Sequence, residues 1–115
     1  MDSSTPEDRL AVILKAYSVA RDQQDKDIAD AQSDEQADAI RSNLASLQLA
    51  YLRAERSQLD ANGAAVEAAY QAAQGATDEV VRAYRKGAAL ADRIRAVAGA
   101  VTAVASLAAR ASALA

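Results

Sequence analysis

ADAIRSNLASLQLAYLRA, residues 37–54, decides the fold. Within it Ala37, Ile40, Leu44, Leu47, Tyr51 and Ala54 recur at alternating spacings of three and four. That rhythm puts all six on one side of an α-helix and forms the seam of a coiled coil or helical bundle, whereas a half-buried strand would alternate every second residue. Leu49, Leu52 and Leu59 widen the apolar arc well beyond one stripe, as in a helix with neighbours on more than one side. Upstream, Ser33-Asp34-Glu35-Gln36 reads as a capping box, in which the serine hydroxyl and the third-position side chain satisfy free backbone N–H groups reciprocally. Downstream, Asp60-Ala61-Asn62-Gly63 reads as a stop, because Asn and Gly tolerate the left-handed backbone of a helix end. The expectation is a helix over 34–61.

The same signals extend outward. Ser4-Thr5-Pro6-Glu7-Asp8 is a helix start, with Thr5 as cap, Pro6 at the first helical position and two acids at the positive end of the helix dipole. Leu10, Ile13, Leu14, Tyr17 and Ala20 follow at helical spacing, giving a helix over 6–32 whose hairpin with the next projects a polar tip into water. Beyond Gly63, Val66 and Tyr70 are the only large anchors of a short segment over 64–74, and Gly75-Ala76-Thr77 reads as a break with a new cap at Thr77. Val80, Ala83, Gly87, Leu90, Ile94, Val97, Val101, Val104, Ala108 and Ala111 then keep the three–four alternation, which predicts one long helix over 78–113, roughly 50 Å in length at about 1.5 Å per residue. The fold expected is therefore all-α: a single-domain antiparallel helical bundle over 1–115, with three long helices, a short fourth segment and a coiled-coil-like C-terminal helix.

Composition bears on function. The 115 residues include 32 alanines but no His, Cys, Trp or Phe. Alanine favours the helix yet buries little area per residue, so a core built from it needs close backbone approach or a partner chain. Without His or Cys the commonest general base, nucleophilic thiolate and metal ligands are missing, and no Ser, Tyr or carboxylate spacing implies a nucleophile with its base. No catalytic, metal or cofactor residue is expected. Ten Arg against three Lys, with the alanine excess, fit a GC-rich bacterial genome. The acidic start lacks the basic and apolar regions of an export leader, which gives a cytoplasmic expectation.

Charge is divided along the chain. Residues 1–79 carry 15 acids and 7 bases, a net of −8, and residues 80–115 carry one acid and 6 bases, a net of +5, which together give the whole-chain −3. The acid concentrates in a tip comprising Asp22, Asp25, Asp27, Asp30, Asp34 and Glu35, expected to be a solvated hairpin end able to dock a basic partner. Its spacing loosely echoes a calcium loop, but the turn glycine and the bidentate glutamate, where Gln36 stands, are absent. Arg82, Arg85, Lys86 and Arg93 could touch phosphates, but in an acidic chain without interleaved stacking aromatics nucleic acid is disfavoured. Residues 96–109 are uncharged, a run too short and too alanine-rich to favour a membrane over a packed helix. The expected function is a non-catalytic, self-associating helical subunit or interaction module of a larger bacterial assembly, with Leu90, Ile94, Val97, Val101, Val104 and Leu107 as the intermolecular seam. The alternatives are a monomeric adaptor or inhibitor of the immunity type, using the acidic tip, and a membrane-active protein using the last helix.

Overall fold

A computed structural model describes residues 3–112. The described residues form four helices of similar length: α1 (Pro6–Asp30), α2 (Asp34–Arg56), α3 (Ala64–Arg85) and α4 (Leu90–Ala111). The chain is all-α, as expected, but the arrangement of three long helices and a short one is not what forms. Residues 64–74 and residues 78–85 of the expected 78–113 helix belong to one element, α3, which runs straight through Gly75. Thr77 caps nothing; it faces inward at 1% exposure, its hydroxyl without a protein partner. The real break lies ten residues on. Gly87 adopts φ +66, and the N–H groups of Gly87 and Ala88 donate back to the carbonyls of Tyr84 and Ala83, a Schellman closure that a left-handed residue makes possible. Residue 113, the end of the expected last helix, lies outside the described residues.

The first two helix starts carry their expected side-chain caps, but the reciprocal box closes only at α1, because at α2 the Gln36 Oε1 accepts from the Gln32 N–H at 2.8 Å and not from Ser33. Thr5 Oγ1 accepts from the Asp8 N–H at 3.1 Å while Asp8 Oδ2 accepts from the Thr5 N–H at 2.9 Å. Ser33 Oγ caps α2 through the Gln36 N–H at 3.1 Å. α2 ends earlier than expected, at Arg56, and residues 57–63 cross to α3.

The helices run alternately up and down. α1 packs on α2, α3 and α4, α4 also packs on α2 and α3, and α2 and α3 do not touch among the described residues. The cross-section is thus a flattened diamond with α1 and α4 on its short diagonal, in a body of 43 × 26 × 18 Å. Alanines permit the flattening. Ala16, Ala54, Ala73, Ala100 and Ala111 are at most 2% exposed and lie between Ile13, Leu47, Val80, Val104 and Leu107 in one continuous core.

Since α2 and α3 lie at opposite corners, their connection passes beneath the bundle, and one residue ties it there. Arg9, fully buried on the core side of α1, donates from Nη1 to the carbonyls of Leu59 at 2.6 Å and Ala61 at 2.8 Å. Its Nη2 donates to Ser4 O at 3.0 Å and Glu67 Oε2 at 3.1 Å, and its Nε to Ser4 Oγ at 2.9 Å. Leu59, 2% exposed and held at φ +52, plugs the same end, and the Ala61 N–H donates to the last carbonyl of α4, Ala111 O, at 3.0 Å. A buried guanidinium costs several kcal/mol in desolvation unless its donors are matched; here five of its contacts are within 3.1 Å.

Candidate interaction surface

The sequence-derived seam on α4 divides in two. Val97, Val104 and Leu107 are 5%, 0% and 0% exposed, enclosed in the molecule's own core. They are not available to a partner while the bundle stays closed, which corrects their assignment to an intermolecular contact. The cause is the turn at Gly87: it folds α4 back onto α3 instead of letting one rod project. Leu90, Ile94 and Val101 remain half-buried at the surface.

The acidic tip divides likewise. Asp22, Asp25, Asp34 and Glu35 are exposed, but Asp27 is 4% exposed and turned inward. Arg93 Nη1 donates to Asp27 Oδ1 at 3.0 Å and Arg93 Nη2 to Asp30 Oδ2 at 3.4 Å. The Tyr84 hydroxyl donates to Asp27 Oδ2, and the Arg93 guanidinium lies 5.4 Å from the Tyr84 ring centroid. Burial, then the bond to Asp27, pushes the Tyr84 hydroxyl well above its ordinary pKa, so it stays a proton donor. This cluster joins α1, α3 and α4 at the end opposite Arg9 and belongs to the structure's interior. Among the described residues no group of acids, His or Cys is placed to hold a metal ion.

Sequence patterns give no role to Arg9 and suggest solvated ones for Asp27 and Arg93, yet these are the three buried ions inside the bundle among the described residues. A signal was present. Arg9, Ile13, Ala16, Ala20 and Asp27 follow the buried phase of α1, and Arg93, Val97, Ala100 and Val104 follow that of α4. A charge in phase with the core is a charge that needs a buried partner.

The chain's free apolar surface lies elsewhere. Among the described residues the exposed large hydrophobics are Leu14 at 38%, Leu49 at 48% and Leu52 at 44%, all on α1 and α2. Leu49 borders a groove of about 660 Å³ between α2 and α4, with Ala50, Val101, Ala105, Ala108 and Ala109 as its apolar wall and Arg53 and Arg56 at its rim. The groove exists because α2 and α4 run side by side with alanines facing the gap. Small side chains on α4 leave room for another helix to approach closely, and the two arginines make the rim cationic. Tyr17 stacks on Tyr51 with ring centroids 5.7 Å apart, fixing α1 against the other side of α2. α4 itself is long and apolar enough, by length and composition alone, to cross a membrane; Val97, Val104 and Leu107 on it are enclosed in the core.

Basic residues also gather at the α1–α3 edge, where Lys15, Arg82, Arg85 and Lys86 surround a cleft of about 460 Å³ with Asp78 and Val81. Arg82 is bridged to Glu79 on its own helix. The arrangement is a solvated cationic end of α3, favourable to the helix dipole. The chain matches no protein-family model, no curated protein sequence and no solved structure.

Proposed function

We propose that the protein is a non-catalytic helical interaction module that docks another α-helical surface on its α2–α4 face, as a subunit of a larger assembly. The observation that carries this reading is the coincidence of the groove with the exposed Leu49 on its border, next to the exposed Leu52 about one turn along the same helix. Exposed leucines scattered singly need no explanation. Two on one helix beside an alanine-walled groove match the helix-in-groove mode, where an apolar stripe enters a cleft and charges at the rim set orientation. The absence of His and Cys from the sequence accords with a role without bond chemistry.

A photo-crosslinking side chain placed at Leu49 in the host cell tests the reading. It should give discrete protein adducts that disappear with Leu52→Glu, while the same group at the exposed Ala68 of α3 gives none. Equal yields at both positions would overturn it.

A further inference from the structure

We infer that the partner on this face is a second copy of the same chain, paired antiparallel so that α2 lies against α2 about a twofold axis. The inference rests on the docking reading above and names its occupant.

The argument is in the exposed stripe of α2. Asp38 and Arg56 are both exposed and eighteen residues apart in sequence, which is five complete helical turns. They therefore project from the same side of α2, one at its acidic beginning and one at its basic end. Their midpoint is position 47. The exposed Ala45 and Leu49 share that midpoint, as do the exposed Ser42 and Leu52.

A twofold axis at the level of position 47 would thus set Asp38 of each copy against Arg56 of the other. The same operation lays Leu49 beside Ala45, two positions four residues apart that flank the stripe closely, large against small. A closed twofold interface requires this self-complementarity, in which each residue meets the partner of its own symmetry mate. Parallel pairing would place Arg56 against Arg56 and Asp38 against Asp38. The remaining symmetric charged pair, Arg41 with Arg53, is twelve residues apart in sequence and so about 120° apart around the helix. That pair does not share the stripe, and Arg41 already bridges to Asp38 within its own chain.

The test is a charge exchange read by sedimentation equilibrium on the full chain, with circular dichroism to verify folding. The unaltered protein should dimerise. Asp38→Arg alone and Arg56→Glu alone should each raise the dimer dissociation constant by roughly tenfold, since two contacts turn repulsive per dimer. The double variant Asp38→Arg/Arg56→Glu should recover the lost affinity, and an equimolar mixture of the two single variants should form heterodimers in preference to either homodimer. A monomer at every concentration would overturn the pairing while leaving the docking face to be read by crosslinking at Leu49. A dimer indifferent to the exchange, or not restored by the double variant, would also overturn it.

Discussion

Arg9 shows how much one side chain can determine. It is the only group among the described residues that touches the N-terminal segment, the crossover and the start of α3 together, through Ser4, Leu59, Ala61 and Glu67. Arg9→Met roughly keeps the volume and helix propensity but takes the donor from the carbonyls of Ser4, Leu59 and Ala61 and the cation from Glu67. The expected cost is about 3–5 kcal/mol, read as a lower urea midpoint; Arg9→Lys should restore only a fraction, because an ammonium cannot reach the same fork of acceptors. Glu67 makes the cluster sensitive to acid. The Ser4 backbone N–H, then the Ser4 hydroxyl and Arg9, hold its carboxyl below the ordinary 4.5 against a smaller opposing effect of burial. A depressed folded pKa means the unfolded chain binds the proton more tightly. The contribution is therefore complete above about pH 4.5 and is lost as pH falls below that value through the folded pKa. Glu67→Gln should flatten the acid limb of a stability-against-pH profile; an unchanged limb would place the acid sensitivity elsewhere.

At the scale of elements, the sequence was legible where a cap is made by side chains and illegible where it depends on backbone. Thr5, Asp8 and Ser33 announce their helix starts with oxygens at fixed offsets, and those bonds form. Gly75 and Gly87 look alike in sequence, each followed by alanine, yet one lies inside α3 and the other ends it. Periodicity could not separate them, since Ala83, Gly87 and Leu90 stay in phase across the turn as they would along a continuous helix. Thr77 looked like a cap because threonine is good at capping, but burial of its methyl-bearing face between α3 and its neighbours prevailed. The groove was only half legible: Leu49 and Leu52 were visible as an over-wide apolar arc, but which of them stay uncovered depends on how α4 folds back. The two glycines therefore answer oppositely to the same change. Gly75→Ala meets nothing within 4 Å and should stabilise by about 1 kcal/mol, the helix-propensity difference. Gly87→Ala places a Cβ on a residue at φ +66 and should destabilise by about 1 kcal/mol. Thermal unfolding of the two variants measures both signs.

At the scale of the whole molecule, the problem is how so little bulk makes a core. The chain has ten leucines and no Phe or Trp, and among the described residues three leucines stay exposed. The solution is proximity: alanines at the contacts let helix axes approach, and each backbone then serves as packing surface for its neighbour. The two ionic clusters close the ends, Arg9 beneath the crossover and Asp27–Arg93–Tyr84 at the opposite pole, where apolar side chains run out. A core held this way should be intolerant of added bulk. Ala73 and Ala100 are both fully buried, on the facing helices α3 and α4. Leucine at either position adds apolar volume and leaves helix propensity nearly unchanged, so simple area arithmetic favours it by about 2 kcal/mol. The close-packed reading predicts the reverse, a loss of about 1–3 kcal/mol as the helices are forced apart. Chemical denaturation distinguishes the two, and a gain in stability for both leucine variants would show that the alanine contacts are loose and that close helix approach is not what holds the bundle together.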